Sequence, residues 1–392
     1  MRFLCADSEG QDKMTKVVSL DDLHCKFRKR VPRMFADYCD SGSWSEQTLQ
    51  ENSEAFKKIH FRQRVLCDMS HRSTKKDLLG SEWTMPIALA PVGLTGMQRA
   101  DGEILAARAA KAFGIPYTLS TMSICSLEDI AEGTDGHPFW FQLYMMKDRK
   151  IAVNLINRAK KANCSALVLT ADLQVMGERY ADERNGLKTG NPICLGNMCE
   201  LIKKWRWGVN MLGTKRHGFG NILGSVDNVS NPSSLIAWVG EQFDLKLNWA
   251  DINWIKSYWD GPLIVKGIME VEDALNAVEA GADAIIVSNH GGRQLDGAPP
   301  TISILGDIVA AVGGRIKVFI DSGIRSGQDV LRALALGADA AFIGRPYIWG
   351  LGAEGEAGVI KVLKLFQHQL DISMAFCGIT NISDVDSRIL HI

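Results

Sequence analysis

The sequence lacks an excess of charge of either sign. Its 392 residues include 44 Lys and Arg against 45 Asp and Glu, which leaves a net charge of −1. A chain without a global electrostatic field is not expected to bind nucleic acid or another acidic polymer through its overall charge. We therefore predict no nucleic-acid partner, and any charged function must be local.

The sequence also lacks paired cysteine motifs and a long apolar segment near its start. Its nine cysteines show neither CxxC pairs nor the spacing of a zinc or haem-attachment site. We therefore predict no metal site and expect reduced, mostly buried thiols, which favours exposure to the cytosol. Residues 1–16 contain acidic residues and no apolar run, so neither a signal peptide nor a membrane span is expected there.

What the sequence does contain is an alternation of short apolar runs with helical periodicity. Eight strands are predicted, at residues 86–92, 117–120, 139–144, 166–172, 263–268, 284–289, 317–321 and 340–344. Helices are predicted between them, at residues 102–113, 127–132, 151–162, 272–280, 303–312 and 327–336. This pattern predicts an α/β fold, either a doubly wound sheet or, favoured by the glycine patterns described below, a (β/α)8 TIM barrel.

Two segments fall outside this repeat. Residues 17–85 are rich in helix formers, and residues 173–260 form a long insertion after the fourth strand. We expect residues 17–385 to form one domain that follows an N-terminal extension, 1–16. The insertion mixes cations with large aromatic residues at 203–207, which suits an anionic membrane surface or a solvated loop whose tryptophans pack on the barrel.

Polar residues with catalytic chemistry emerge where two predicted strands end. His290 and Arg293 follow the apolar run 284–287, and Asp172 ends the run 166–172. Catalytic residues of barrel enzymes lie at the carboxyl ends of strands. A neutral imidazole can accept a proton, a guanidinium can hold a carboxylate, and an aspartate can stabilise the imidazolium, although a surface or capping aspartate is the alternative.

The ends of the seventh and eighth strands combine glycine with arginine, at 321–325 and 344–345. This is where many barrels bind phosphate, so we predict a phosphate site there. Lys266, in an otherwise apolar strand, needs an anionic partner, either an electron-rich cofactor ring or a neighbouring carboxylate. Arg179 is predicted to be either a second carboxylate clamp or a solvated cation, and Tyr38 by itself reads as a core residue.

Together these residues resemble the FMN-dependent α-hydroxy-acid dehydrogenase and oxidase family over about residues 20–385. The most specific stretch is 288–296, SNHGGRQLD. Supporting patterns occur in the family's order at 37–38 with Gly42, 89–91, 119–121, 141–144, 170–172, 265–267, 321–325 and 344–345. Within the family, the phrases at 62–66, 90–94 and 259–262 resemble the bacterial membrane-associated L-lactate dehydrogenases.

The resemblance implies roles for individual residues. His290 would be the base, assisted by Asp172, while Arg293 and Arg179 would grip the substrate carboxylate. Tyr38 and Tyr144 would complete the substrate pocket, with Tyr144 close to the reacting group. The residues expected to hold FMN are Pro91, Val92, Gly93, Ser120, Gln142, Thr170, Lys266, Ser288, Asp321, Gly323, Arg325, Gly344 and Arg345.

The resemblance also implies an activity and partners. We expect oxidation of L-lactate to pyruvate, with electrons passed to a membrane quinone or another acceptor, because no haem motif is present. A homotetramer bound peripherally to the cytoplasmic side of the inner membrane is expected, with a cytoplasmic location as the alternative. Rival activities are a mandelate dehydrogenase or a soluble, peroxide-producing 2-hydroxy-acid oxidase, although Gly93, where oxidases commonly have alanine, favours a dehydrogenase. A non-enzymatic phosphate-binding barrel is a further alternative.

Overall fold

A computed structural model describes residues 16–187, 200, 202–222 and 242–391. The chain enters through three helices that precede the barrel: α1 (Leu20–Arg30), α2 (Arg33–Asp40) and α3 (Gln47–Lys57). A capping box begins α1, because Ser19 and Asp22 satisfy each other's backbone amides. Helix α2 ends at Asp40, and the carbonyl of its C-cap residue, Ser41, contacts arginines of the site described below.

Eight parallel strands form the central sheet. They are β4 (Ile87–Leu89), β5 (Thr118–Ser120), β6 (Phe139–Leu143), β7 (Cys164–Thr170), β8 (Leu263–Ile268), β9 (Ala284–Val287), β10 (Lys317–Ile320) and β11 (Ala340–Ile343). Their order is β4-β11-β10-β9-β8-β7-β6-β5. A parallel bridge between Leu89 and Tyr117 joins the two ends of this order. The prediction of a (β/α)8 barrel rather than a doubly wound sheet is confirmed.

Aromatic rings fill the barrel interior. Trp83, Trp140, Phe319 and Phe342 are all buried, and the centroids of Trp83 and Trp140 lie 5.7 Å apart. Trp83 belongs to β3 (Ser81–Trp83), which pairs with β2 (Lys76–Leu78) in an antiparallel hairpin at the amino-terminal end of the barrel. The barrel interior is therefore a packed core rather than a channel.

Helices surround the strands. Those in and between the barrel repeats are α4 (Thr95–Gln98), α5 (Gly102–Phe113), α6 (Leu127–Gly133), α7 (Arg149–Lys161), α8 (Tyr180–Arg184), α9 (Trp205–Leu212), α10 (Ala250–Lys256), α11 (Val271–Glu279), α12 (Thr301–Val312) and α13 (Gly327–Ala335). Two more, α14 (Arg345–Glu354) and α15 (Glu356–Phe376), follow the last barrel strand. The sequence predictions did not include these two, although α15 has 21 residues.

The carboxyl terminus returns to the beginning of the barrel. Two short 3-10 turns, Ile382–Asp384 and Ser387–Ile389, lead into β12 (Leu390–His391). Strand β12 pairs antiparallel with β1 (His60–Phe61), which follows α3. The residues after the barrel are thereby fixed to the helical segment before it.

The predicted strands of the barrel exist, but most of them end earlier than predicted. The predicted strand 284–289 ends at Val287, and 166–172 ends at Thr170. The residues beyond these ends leave the hydrogen-bond ladder and form the mouth of the barrel. An apolar run shows where a strand begins, whereas tertiary contacts decide where it ends.

Part of the sequence falls outside the described residues. This applies to the predicted extension 1–16, except Lys16, and to 188–199, 201 and 223–241 within the insertion 173–260. The described parts of the insertion contain α8, α9 and α10. None of the helices in the described ranges is long and apolar enough to cross a membrane.

Candidate active site

His290 lies just beyond the end of β9, where the backbone leaves the sheet. The φ angles of His290, Gly291 and Gly292 are 58°, 69° and 71°, so the chain turns through three left-handed residues at the histidine. His290 Nδ1 lies 2.9 Å from Oδ1 of Asp172, which follows β7. The carboxylate engages one ring nitrogen, and Nε2 is left for a ligand in the adjoining cavity.

Asp172 reaches the histidine because the neighbouring strand makes room for it. Strand β8 has a register shift between Lys266 and Ile268, and Gly267 there has a φ of 107°. A Cβ atom on Gly267 would lie only 2.7 Å from the Cβ of Asp172. Glycine is therefore required at this position for the aspartate to approach.

The protein interior sets the protonation states of this pair. Withdrawal from water lowers the pKa of His290 below its ordinary value of 6.5, although Asp172 opposes this shift. Burial alone would raise the pKa of Asp172, but His290 and Lys266 hold it below its ordinary value. At neutral pH the pair is therefore a neutral imidazole beside a carboxylate, which is the form that can accept a proton.

Two arginines are oriented by the carboxyl-terminal end of α2. Arg293 Nη1 donates to Tyr38 O and, at 3.0 Å, to Ser41 O. Arg345 donates to Cys39 O at 2.9 Å and to Ser41 O at 3.0 Å. The last carbonyls of a helix lack intrahelical partners and carry partial negative charge. Backbone dipoles thus hold the two guanidiniums without neutralising them.

Arg325 and Arg345 are two buried cations that line the same cavity. Burial, followed by the nearby charges of Arg325 and Arg293, lowers the pKa of Arg345 from 12.5 to about 9. Burial also lowers the pKa of Arg325. Both side chains remain cationic at neutral pH, so an anion with more than one charge would relieve their repulsion. The left-handed residues Ser322 and Gly323 bring the backbone of the predicted phosphate loop to the same cavity.

Lys266 has a carboxylate partner, the second of the two options that the sequence left open. Its Nζ lies 3.0 Å from Asp321 Oδ2 and donates to Ser288 Oγ at 2.7 Å. Burial alone would lower the pKa of Lys266, but Asp321 and Asp172 raise it above its ordinary value. Lys266 is therefore a fixed cation at the cavity floor.

The end of β6 carries a buried amide, that of Gln142. Gln142 Oε1 accepts hydrogen bonds from Ser120 Oγ at 3.0 Å and from Thr121 N at 3.3 Å. Gln142 Nε2 is buried and has no hydrogen-bond partner among the described residues. A buried donor without an acceptor is costly, so this amide group is suited to an acceptor on a ligand.

Arg179 reaches the cavity from the insertion and is not a solvated cation. Its side chain is only 9% exposed, and its Nη1 lies 3.8 Å from Asp182 Oδ2. Burial and the nearby charge of Arg293 lower the pKa of Arg179. Arg179 and Arg293 therefore offer two closely spaced cations, and Tyr38 lies beside them, with its ring centroid 4.7 Å from the Arg293 guanidinium.

The rest of the cavity is apolar, and part of its wall comes from the insertion. The cavity has a volume of about 460 Å³ and is lined by Tyr144, Leu187, Phe219 and Phe243 among others. The rings of Tyr144 and Phe243 meet edge to face, with centroids 5.3 Å apart. None of the lining residues Asp182, Leu187, Phe219 and Phe243 was predicted from the sequence. They lie in irregular parts of the insertion or in a short helix, where no periodicity reveals which side chains turn inward.

The cavity brings together most of the residues singled out in the sequence. It is lined by Tyr38, Pro91, Val92, Gly93, Ser120, Tyr144, Thr170, Arg179, Lys266, His290, Arg293, Asp321, Gly323, Arg325, Gly344 and Arg345. Asp172, Gln142 and Ser288 do not line it, but each makes a hydrogen bond to a residue that does. Tyr38 is thus a cavity residue rather than simply a core residue.

The arrangement fits flavin mononucleotide, the group that the family resemblance implies. The un-neutralised pair Arg325 and Arg345 suits a phosphate dianion, and Gly344 leaves the adjoining backbone uncovered. The unpartnered Gln142 Nε2 can donate to a ring carbonyl, while Lys266 supplies a buried cation. These features differ in kind, and each lies in or directly beside one cavity of suitable size.

Comparison with known proteins agrees with this arrangement. The chain is 43% identical to an L-lactate dehydrogenase of Ectopseudomonas mendocina (strain ymp), over 94% of this chain and 97% of the relative. It is 44% identical to an L-lactate dehydrogenase of Vibrio cholerae serotype O1 (strain M66-2), over 93% of this chain and 96% of the relative.

The similar solved structures are named for mandelate rather than for lactate. The monotopic membrane protein (S)-mandelate dehydrogenase superposes with a TM-score of 0.91 at 34% identity, covering 96% of this chain and 99% of that one. Mandelate oxidase superposes with a TM-score of 0.80 at 37% identity, covering 96% and 98%. The family model described as FMN-dependent dehydrogenase matches residues 27–392, and the chain belongs to that family.

Proposed function

We propose that this protein oxidises L-lactate to pyruvate with bound FMN as its cofactor. The observation that carries the proposal is that His290, paired with Asp172, opens into the same cavity as Arg293 and Arg179. A proton acceptor beside two carboxylate-binding cations suits a 2-hydroxy acid. Relatives named L-lactate dehydrogenase, at 43% and 44% identity over nearly the whole chain, support lactate as the substrate.

Each polar group then has a defined task. Arg293 and Arg179 bind the substrate carboxylate, and Tyr38 and Tyr144 complete the pocket, with Tyr144 close to the reacting hydroxyl. His290 accepts the hydroxyl proton at Nε2, because Asp172 occupies Nδ1 at 2.9 Å. As the imidazole becomes positive, the adjacent carboxylate stabilises it.

The cofactor is held by the residues that surround the remaining part of the cavity. Arg325, Arg345 and the backbone of Gly323 and Gly344 bind the phosphate end, and Asp321 lies beside it as the ion-pair partner of Lys266. The ring system is held by Pro91, Val92, Gly93, Ser120, Gln142, Thr170, Lys266 and Ser288. When bound, FMN supplies an acceptor for the two electrons that leave the substrate carbon.

The electrons then pass to a membrane quinone, and the exposed face of α9 supports this part of the proposal. Trp205, Val209 and Leu212 on α9 are 61%, 59% and 87% exposed, and Ile202, just before this helix, is 74% exposed. The spacing of four and three residues within α9 places its three exposed apolar residues on one helical face. An apolar stripe with cations beside it suits the surface of a bilayer that contains anionic lipids.

Residues 203–207 support both interpretations of this segment: some of them suit a membrane surface, and one tryptophan packs on the barrel. Lys203 and Arg206 are exposed, and Arg206 lies over the Trp205 ring at 5.4 Å. Trp207 instead packs toward the barrel, 5.5 Å from Phe35, and donates to Met97 O at 2.9 Å. Trp207 therefore anchors the helix, and Trp205 is available to a membrane.

The remaining parts of the proposal rest on the family resemblance. They are that residues 17–385 act as one FMN-binding domain, that four copies assemble into a homotetramer, and that the tetramer lies on the cytoplasmic side of the inner membrane. Light scattering of the purified protein would test the tetramer. A monomeric mass at working concentration would contradict it.

A second activity has its own support. Phe219 and Phe243 line the cavity with Tyr144, and aromatic rings can pack against the phenyl group of mandelate. The structural likeness to (S)-mandelate dehydrogenase, with a TM-score of 0.91, points the same way. Its 34% identity is below that of the lactate dehydrogenases, so lactate remains the proposed substrate.

The deciding experiment follows the flavin absorbance of the FMN-loaded protein without oxygen. We expect prompt bleaching with L-lactate and slower bleaching with (S)-mandelate. No bleaching by lactate but rapid bleaching by mandelate would transfer the assignment to mandelate. Rapid reoxidation by oxygen, with release of hydrogen peroxide, would make the protein an oxidase.

The membrane part is tested separately by flotation with vesicles that contain anionic lipid. Substituting Trp205→Ser together with Leu212→Ser should abolish flotation and leave lactate-driven bleaching unchanged, because neither residue touches the cavity. Val65→Ser, at an exposed apolar residue elsewhere, is the matched control. Equal flotation of all three proteins would exclude α9 as the membrane contact.

A further inference from the structure

The residue before the catalytic histidine is joined to a helix from the amino-terminal segment. Asn52 on α3 and Asn289 after β9 are 1% and 5% exposed. Asn52 Nδ2 donates to Asn289 Oδ1 at 2.9 Å, and Asn289 Nδ2 donates to Asn52 Oδ1 at 2.8 Å. The two amides therefore form a reciprocal pair in the interior, between residues 237 positions apart in the chain.

Asn289 passes this restraint to the backbone around His290. Its Oδ1 also accepts from Gly292 N at 3.1 Å, and its Nδ2 also donates to Pro299 O at 3.1 Å. These contacts close the turn that contains the left-handed residue His290, with φ of 58°. A non-glycine residue rarely adopts this conformation unless surrounding contacts hold it. Here the Asn289 side chain provides two of them, and Ser288 Oγ provides another by accepting from His290 N at 3.2 Å.

Helix α3 is itself fixed relative to this loop. Asp296, at the end of the same loop, accepts hydrogen bonds from Ser45 N and Thr48 N, both at 2.9 Å. The helix has no side-chain cap from its own N-cap residue, Glu46, so a residue distant in sequence takes this role.

Two glycines allow the helix to come close to the site. A Cβ atom on Gly292 would lie 2.5 Å from Leu49 N, and one on Gly323 would lie 2.3 Å from Asn52 O. Gly323 was assigned to the phosphate loop from the sequence. Its lack of a side chain is also required by α3, which lies against both the histidine loop and the phosphate loop.

We propose that Asn52 is a positioning residue for His290. The primary amide of Asn52 is needed because it donates and accepts at once, which neither a carboxylate nor an apolar side chain can do. Asn52 does not contact the substrate cavity and acts through Asn289. The inference rests on the proposed function, in which His290 is the proton acceptor.

The test uses the FMN-loaded enzyme and the substitution Asn52→Leu. This substitution keeps the side-chain volume and removes both hydrogen bonds to Asn289, together with the longer one, 3.4 Å, from Thr301 N. The rate constant for flavin reduction by L-lactate should fall about 10- to 100-fold, because a small displacement of a catalytic group has effects of this size. The substrate dissociation constant should change by less than about threefold, since Arg293 and Arg179 are untouched. Hydrogen exchange in peptides covering 285–300 should become faster.

Two further variants keep the test decisive. Asn52→Asp is isosteric and retains the acceptor, but its carboxylate opposes Asn289 Oδ1, so it should show the same loss if Asn52→Leu does not fold. Asn289→Ala should slow reduction as well, and adding Asn52→Leu to it should cost little more, because both changes break one connection.

Phe56→Leu is the control for a purely structural effect. Phe56 is buried on the same helix, and its truncation lowers stability without touching the histidine loop. A variant of Asn52 that lowers Tm while reducing flavin at the wild-type rate would overturn the inference, as would an equal rate loss in Phe56→Leu. If no 2-hydroxy acid reduces the wild-type flavin, the proposed function fails. Independently of that result, unchanged hydrogen exchange in Asn52→Leu would show that Asn52 does not restrain the loop that contains His290.

Discussion

Two groups of buried basic side chains around the cavity are held in opposite ways. His290 and Lys266 each face a carboxylate, at 2.9 Å and 3.0 Å. By contrast, Arg293, Arg325 and Arg345 form no ion pair with any carboxylate in the described ranges. Backbone carbonyls hold Arg293 and Arg345 instead.

This difference separates chemistry from binding. A group that faces an opposite charge of the protein has its protonation state set by that partner. The Asp172 carboxylate has this effect on the imidazole of His290. An arginine that is oriented only by backbone carbonyls can still attract an anionic ligand, because a dipole compensates a full charge only in part. The four substitutions that follow are expected to separate these two kinds of site.

The largest effect is expected from His290→Gln, which removes the proton acceptor and keeps a polar side chain. Flavin reduction by L-lactate should slow by about 10²- to 10⁴-fold, the usual contribution of general acid–base catalysis. Stopped-flow absorbance of the FMN-loaded protein measures it. His217→Gln, at an exposed histidine in the insertion, should reduce flavin at the wild-type rate. A loss below about tenfold in His290→Gln would mean that another group accepts the proton.

Arg293→Met should come next, because it removes a cation proposed to bind the substrate carboxylate. Loss of a hydrogen bond to a charged group costs about 1.5–3 kcal/mol, so kcat/KM should fall about 10- to 150-fold. Steady-state kinetics with L-lactate gives this value, and exposed Arg184→Met on α8 is the control. An unchanged kcat/KM would assign the carboxylate to Arg179 alone.

Arg325→Leu should weaken the phosphate end without altering the chemistry. FMN should bind about 10- to 100-fold more weakly, from the loss of one charge-assisted hydrogen bond. Once FMN is added back to saturation, turnover should return close to that of the wild type. Fluorescence titration of the flavin measures the affinity, with exposed Arg315→Leu as control. Normal FMN affinity with slow turnover would mean that Arg325 serves the reaction rather than the binding of the cofactor.

The smallest expected effect is a displacement of the pH profile. The pKa of His290 lies below 6.5, so kcat/KM should fall only as the pH drops through that lowered value. Asp172 raises the pKa of His290, so Asp172→Asn should move this acid limb to still lower pH, besides slowing the reaction. A profile of kcat/KM against pH for both proteins checks the direction. An acid limb that moves to higher pH would contradict the pairing.

Much of the fold could be predicted because burial leaves a regular pattern. The apolar run 284–287 and the glycines after β10 and β11 identify strand ends, and the helix Gly102–Phe113 has the bounds predicted from its periodicity. The residues that follow the strands could be assigned to one site, because the parallel strands of a barrel all have their carboxyl ends on the same side. Helix α15 was not predicted, and neither were Leu187, Phe219 and Phe243, which line the cavity from the insertion.

The sequence by itself determined the barrel, the residue types at its mouth and the resemblance that implies FMN, because strand periodicity and the residues that follow each strand are local properties of the chain. Only the tertiary structure decided how those residues are held. The carbonyls of α2 that orient Arg293, the contact of Asn52 with Asn289 and the wall formed by Phe243 all join segments far apart in sequence. No local sequence pattern predicts such contacts. They arise when distant elements pack together, and the number of residues between two elements does not show how close they lie in space.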